Sequence, residues 1–144
     1  MMNWELYVIQ GMELSFLGIG SYLDLKDQSL PTLFLGMFAA AAMLCHLFFG
    51  VQKTAEVLAG IGMGAAVLIV GKLTEEAIGY GDGGVILILG MLEGVSMLFR
   101  IVLGALILSG IYSVCKILAD AGSLKERIPF LPFLFLAFVG VRIL

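Results

Sequence analysis

The chain consists almost entirely of long apolar runs separated by short polar connectors. A helix needs about 20 mostly apolar residues to cross the hydrocarbon core of a bilayer, so each run is a candidate membrane span. The predicted spans are approximately Leu6–Leu23, Pro31–Gly50, Thr54–Gly71, Gly83–Phe99, Ile101–Leu118 and Pro129–Leu144. The predicted fold class is therefore an all-α integral membrane protein, a bundle of six transmembrane helices.

Composition agrees with this fold class. Hydrophobic residues make up 61% of the 144 residues and charged residues 13%, whereas a soluble domain carries about 25% charged residues. The lipid bilayer is therefore the expected environment. A formal net charge of -3 and the lack of a basic patch argue against a nucleic-acid partner. About six helices use up the whole length, which predicts a single membrane domain over residues 1–144.

The N-terminal run is predicted to be a retained membrane helix and not a secretory signal. No Lys or Arg precedes it, Glu13 interrupts it, and further spans follow. Cys45 and Cys115 lie in apolar runs without a CxxC spacing, so we expect small buried hydrophobes and neither a disulfide nor a metal site. With His46 as the single histidine, the sequence predicts no metal and no cofactor.

Lysine and arginine positions predict the orientation of the bundle. With the N-terminus outside, the cytoplasmic side holds Lys26, Lys72, Lys116, Lys125 and Arg127, and the outside holds Lys53, Arg100 and Arg142. This bias follows the positive-inside rule. We therefore expect a multi-pass protein of the plasma membrane, whose three longest polar connectors (24–31, 72–82 and 120–129) face the cytoplasm.

Asp82 lies among glycines, in the stretch AIGYGDGG at the start of the fourth predicted span. A charged side chain at membrane depth costs about 2.5–3.5 kcal/mol on insertion scales and is a candidate functional residue. The alternative is structural: if the helix begins near Gly83, Asp82 is an N-cap that accepts backbone N–H groups. Asp82 alone leaves both interpretations open.

Asp24 is a second carboxylate predicted at the same membrane face and a similar depth, at the end of the first span. Two carboxylates that converge in a poorly hydrated site share one proton. One can then deprotonate a water while the other protonates or polarises a scissile carbonyl, as in aspartic proteases. No Ser or Cys has an evident base partner, so nucleophilic catalysis lacks support.

Three segments of the chain together resemble a known protein family. Asp24 followed seven residues later by Pro31, then GYGD at 79–82 before an apolar helix, then RIPFLPF at 127–133, is similar to the type IV prepilin peptidases. These are GxGD-type intramembrane aspartic endopeptidases. The three segments occur in the family's order and extend over nearly the whole chain.

The resemblance implies that Asp24 and Asp82 are catalytic, with Gly79 and Gly81 as loop glycines and Pro31 and Pro129 in supporting positions. It also implies prepilin-like protein substrates, cut at the cytoplasmic membrane face after a basic leader, without a cofactor.

Two departures from the family pattern bear on function. Many members have a lysine two residues after the GxGD aspartate, where this chain has Gly84; its role is absent or is served elsewhere, for example by Lys72. Long members also have an N-terminal cysteine-rich region and methylate the new N-terminus. Residues 1–144 leave no room for that region, so we expect peptidase activity without methylation.

Other polar residues have alternative interpretations. Asp27 could compete with Asp24 as the acid, but we expect it to be solvated. Glu13 precedes Asp24 by eleven residues and Glu93 follows Asp82 by eleven, three helical turns in each case. Both glutamates should therefore lie at matching depth on the outer side. Either a neighbour satisfies each one separately, or the two form a second polar layer that braces spans one and four.

Glycine spacing predicts close helix packing. Gly60-x3-Gly64 and Gly90-x3-Gly94 each place two small residues on one helix face. Gly81 is predicted to allow either a positive φ or a close approach to the first helix, so that the loop can close on a substrate. The alternative function is a small polytopic membrane transporter or scaffold subunit with an acidic pair, although no internal repeat supports a transporter.

Overall fold

The computed structural model describes residues 3–27, 30–50, 53–73, 80–119 and 128–143. Within these ranges the chain forms helices and no strand. The helices are α1 (Trp4–Asp27), α2 (Thr32–Phe49), α3 (Thr54–Leu73), α4 (Tyr80–Glu93), α5 (Val95–Ala119) and α6 (Leu131–Ile143). The all-α class predicted from the apolar runs is confirmed, and each predicted span corresponds to one helix.

Three of these helices, α2, α3 and α5, are long and apolar enough to cross a membrane. The 24 residues of α1 include Glu5, Glu13 and Asp24, which lower its apolar character. The 14 residues of α4 and the 13 of α6 span only about 21 and 20 Å at about 1.5 Å per residue. The hydrocarbon core is about 30 Å thick, so six complete spans stay a prediction.

The outward faces of the three long helices are apolar. Leu33 and Phe48 on α2, Leu58 on α3 and Leu118 on α5 are all more than 60% exposed. Contiguous apolar surface of this kind is typical of a lipid-facing bundle, since water would penalise it. Cys115 lies exposed on α5, so its predicted burial is wrong; an apolar run alone does not tell a lipid-facing position from a packed one.

The boundary between the fourth and fifth helices differs from the prediction. The span predicted over Gly83–Phe99 is wrong at both ends, because α4 begins at Tyr80 and ends at Glu93. Gly94 has φ +80°, a left-handed conformation that glycine adopts without steric penalty. Its N–H donates to the carbonyl oxygen of Gly90 at 3.1 Å. Arg100 therefore lies inside α5 and not in a loop.

The fourth helix lies at the centre of the bundle. It packs against α2, α3 and α5, while α6 packs against α1 and α5. Its buried residues include Val85, Ile86, Ile88 and Leu89, which point to different sides of the helix. A helix that is apolar on all sides is one that neighbours surround. The helix that begins with Asp82 in its first turn is therefore the most enclosed element of the fold.

Glycines allow α3 and α4 to touch through their backbones. A Cβ built on Gly60 would lie 2.5 Å from the carbonyl oxygen of Gly90, and one built on Gly64 would lie 2.4 Å from the Cα of Leu87. The close packing predicted for Gly60 and Gly64 is confirmed. The pairing of Gly90 with Gly94 on one helix face is wrong, because Gly94 lies in the turn after α4.

Candidate functional site

Asp24 lies in the last turns of α1 and is only 7% exposed. Its Oδ2 atom accepts a hydrogen bond of 3.1 Å from the backbone N–H of Leu131, the first residue of α6. The first N–H groups of a helix have no partner within the helix, and the helix dipole favours an anion there. The start of α6 thus provides a backbone N–H donor for the carboxylate of Asp24.

Close packing holds this end of α1 against α6. A Cβ on Gly20, one turn before Asp24, would lie 2.7 Å from the Cδ2 atom of Leu131, a side chain that is completely buried. Pro129 lies two residues before Leu131, in the half-buried segment that leads into α6. The segment RIPFLPF therefore meets Asp24 through the residues that begin its helix; Arg127 lies outside the described residues.

Asp82 lies in the first turn of α4 and is half-buried. Because α4 begins at Tyr80, two residues before Asp82, the alternative of an N-cap at Asp82 is wrong: Asp82 is inside the helix. An acidic residue in a first turn is favourable with respect to the helix dipole. Gly79, the other loop glycine of the motif, lies outside the described residues.

The glycines next to Asp82 pack against the start of α2. A Cβ on Gly81 would lie 3.2 Å from the Cδ1 atom of Leu30, and one on Gly84 would lie 3.1 Å from the Cδ1 atom of Leu35. Gly81 is helical, and the positive φ angles among the described glycines occur at Gly50 and Gly94. Glycine at position 81 therefore allows α4 to approach Leu30 closely and is not needed for an unusual backbone angle. A side chain at position 84 would press against Leu35.

The first turns of α2 connect the two aspartate-bearing helix ends. A Cβ on Gly20 of α1, one turn before Asp24, would lie 3.7 Å from the Cε1 atom of Phe34, while the next residue, Leu35, meets Gly84 of α4. Pro31 precedes α2 in an extended conformation, with φ -60° and ψ 135°. The helix ends that carry Asp24 and Asp82 therefore flank the same part of α2.

Asp27 differs from Asp24 in its surroundings. It is the last residue of α1 and is exposed, whereas Asp24, three residues earlier, is buried. Asp27 was expected to be solvated, and its exposure agrees with that expectation. Among the carboxylates of this connector, burial and a helix N-terminal donor distinguish Asp24.

Glu13 and Glu93 converge on Arg142 of α6 at the other end of the bundle. An Nη2 atom of Arg142 donates to Oε1 of Glu93 and lies 3.7 Å from Oε2 of Glu13. The side chain of Glu13 is completely buried and that of Glu93 is 3% exposed. The two glutamates thus share one layer, as one of the two alternatives predicted.

The contact of Arg142 with the two glutamates is not among the sequence predictions, which treat Arg142 only as an outside charge. The spacing of residues along α1 and α6 does indicate this contact. Glu13 precedes Asp24 by eleven residues, and Arg142 follows Leu131 by eleven. Because Asp24 and Leu131 are in contact on two helices that run in opposite directions, equal spacing brings Glu13 and Arg142 together.

Comparison with known proteins gives the family. The model of the type IV leader peptidase family matches residues 12–114, a segment that includes both Asp24 and Asp82. No curated protein and no solved structure matches the chain significantly. The family match covers well over half of the chain and agrees with the motifs at Asp24 and Asp82. The protein belongs to the type IV leader peptidase family.

Proposed function

We propose that this protein is an intramembrane aspartic endopeptidase that removes the leader from prepilin-like substrates at the cytoplasmic membrane face. Membership of a leader peptidase family supports a peptidase of this broad type. Asp24 and Asp82 are the proposed catalytic pair, and all six helices are proposed to lie in the plasma membrane. The lysine and arginine distribution supports the cytoplasmic orientation.

The observation that carries the assignment is the hydrogen bond from the N–H of Leu131 to the buried carboxylate of Asp24. A merely solvated loop aspartate would have neither the burial nor the donor. A helix N-terminus stabilises a carboxylate anion, so we assign Asp24 as the ionised partner. Asp82 is then the partner that holds the shared proton.

The reaction follows from these two roles. Asp24 accepts a proton from a water molecule, and the water oxygen bonds to the carbonyl carbon of the scissile peptide. Asp82 gives its proton to the carbonyl oxygen, so that a tetrahedral intermediate forms. When the C–N bond breaks, Asp24 gives its proton to the leaving nitrogen and Asp82 takes a proton from a hydroxyl of the intermediate, so the carbonyl re-forms and the pair again holds one proton.

The packing around Asp82 supports a site that adjusts to a substrate. Gly81 and Gly84 let α4 pack closely on the side chains of Leu30 and Leu35 at the start of α2. Substrate binding between these elements would move the start of α4 toward Asp24, as closing elements do in other enzymes. The peptide carbonyl then reaches both carboxyl groups at once.

Co-expression with a candidate prepilin that carries a basic leader tests the proposal. The parent protein should shorten the substrate, and Asp24→Asn and Asp82→Asn should each abolish this shift, because each removes one member of the acid–base pair. Asp27→Asn is the matched control on the same helix and should retain cleavage. Membrane insertion and thermal stability are measured for every variant.

Two results would contradict the proposal. Loss of cleavage in Asp27→Asn together with activity in Asp24→Asn would show that the wrong aspartate was chosen. A folded, inserted parent protein that shortens no leader-bearing substrate would instead favour a transporter or scaffold role for the acidic pair.

A further inference from the structure

The carboxyl groups of Glu13 and Glu93 are buried against the partly exposed Arg142, and the proposed chemistry does not use this cluster. Two carboxylates face one guanidinium, and neither oxygen of Glu13 accepts a hydrogen bond from the residues that the structure describes. Arg142 also lies over the ring of Phe138, 5.6 Å from its centroid. Buried charges with this little compensation are costly to keep, which indicates a role beyond packing.

The three residues belong to the helices that carry the site. Glu13 lies on α1 with Asp24, Glu93 lies on α4 with Asp82, and Arg142 lies on α6 with Leu131. In each helix the two residues are eleven apart, which is three turns or about 16 Å along the axis. Since a helix of this length moves as a rod, holding one end in position constrains the other.

Helices α1 and α4 pack mainly against other helices. Helix α1 packs chiefly against α6, and α4 packs chiefly against α3 and also against α2 and α5. The guanidinium of Arg142 is a place where charged groups of α1 and α4 meet. The relative position of the two helices therefore depends on a contact at the end opposite to the aspartates.

We propose that Arg142 is a positioning residue: by binding Glu93 and Glu13 together, it sets α1 and α4 in the register that Asp24 and Asp82 require. This inference rests on the proposed function. Without Arg142, no cation would hold the two carboxyl groups together; they would have to share a proton or move apart, and either change alters the spacing of α1 and α4 at that end. The aspartates at the other end would then lose their alignment.

Arg100 provides a matched control. It lines the same cavity of about 480 Å³ as Arg142, together with Lys53, Glu56 and Glu93, but it forms no ion pair within the described part of the chain. Arg142→Gln and Arg100→Gln remove the same charge from neighbouring positions. Only the first removes the bridge between the two glutamates.

The experiment compares these variants by the kinetics of substrate cleavage and by the distance between two spin labels. In a background of Cys45→Ala and Cys115→Ala, spin labels at Lys26→Cys and Leu73→Cys report the separation of α1 from α3; both positions are exposed. Because α3 and α4 touch through Gly60 and Gly90, α3 follows α4. Arg142→Gln should shift or broaden this distance, whereas Arg100→Gln should leave it unchanged.

The rate of prepilin cleavage should change in the same variants as the distance between the spin labels. Arg142→Gln should lower kcat by on the order of a hundredfold, the effect of a displacement of about 1 Å at a catalytic centre, with KM nearly unchanged. Arg142→Lys keeps the charge and should recover most of kcat. Glu93→Gln should be more damaging than Glu13→Gln, because Glu93 makes the direct contact with Arg142.

A merely structural role gives a different pattern. If Arg142→Gln lowers the melting temperature but leaves kcat and the label distance at parent values, the proposal is overturned. The same holds if Arg142→Lys is as slow as Arg142→Gln, or if Arg100→Gln changes the distance equally. If the parent protein cleaves no prepilin-like substrate, the proposed function fails, while the label distances still decide whether Arg142 sets the helix register. Should Arg142→Gln not fold, Arg142→Lys and Glu93→Gln provide the same comparison.

Discussion

The carboxylate of Asp24 on α1 accepts the backbone N–H of Leu131, which begins α6, 107 residues further along the chain. One side chain thus caps the N-terminus of a helix and supplies the general base of the proposed site. These two roles need different atoms. Capping the helix needs an acceptor oxygen, which a carboxamide also provides. Catalysis needs a group that takes up a proton.

Substitutions at Asp24 should separate the two roles. Asp24→Asn keeps an acceptor oxygen and should retain the stability of the parent, while Asp24→Ala should lose about 1 kcal/mol, as other helix caps do. Both should be inactive. Thermal unfolding in detergent and prepilin cleavage measure the two effects, and Asp27→Ala on the exposed face serves as the control. Equal stability of Asp24→Ala and the parent would contradict a capping role.

Because the backbones of α3 and α4 are in contact, adding one methyl group at the contact should strongly destabilise the protein. Gly60→Ala and Gly90→Ala each place a Cβ 2.5 Å from a carbonyl oxygen of the other helix and should destabilise the protein by about 1–3 kcal/mol or more. Gly62→Ala meets nothing within 4 Å and should match or exceed the stability of the parent, since alanine favours helix. Comparable melting temperatures for Gly60→Ala and Gly62→Ala would refute this contact.

Gly81→Ala tests why glycine precedes Asp82. Gly81 is helical, so alanine brings no backbone strain, but its methyl group would lie 3.2 Å from Leu30. We expect a stability within about 1 kcal/mol of the parent and several-fold slower cleavage, because Asp82 would shift by a few tenths of an ångström. Leu30→Ala should restore the rate in the double variant. A double variant as slow as Gly81→Ala would place the effect elsewhere.

Labelling from each side of the membrane tests the proposed orientation. Asp27→Cys and Leu73→Cys lie at the exposed ends of α1 and α3, and Lys53→Cys lies just before α3 at its other end. In the background without native cysteines, the first two should react with an impermeant thiol reagent only from the cytoplasmic side. Lys53→Cys should react from outside. Labelling of position 27 from outside would reverse the topology.

The sequence alone determined the class of fold and the two candidate acids. Apolar runs of nearly span length specify helices because backbone hydrogen bonds must be satisfied within each segment in lipid. Against such runs a carboxylate is conspicuous, since burying it is costly. Asp24 and Asp82 could therefore be chosen from local sequence, and the family match includes both positions.

Tertiary structure decided where the fourth helix ends and which groups meet. Apolar residues continue on both sides of Glu93 and Gly94, so the sequence did not separate the two helices, and the positive φ of Gly94 marks the turn between them. Partners such as Leu131 for Asp24 and Arg142 for Glu93 are 107 and 49 residues distant. Such contacts depend on how the helices pack. The local sequence determines on which face of its helix a side chain lies, but not which other helix packs against that face.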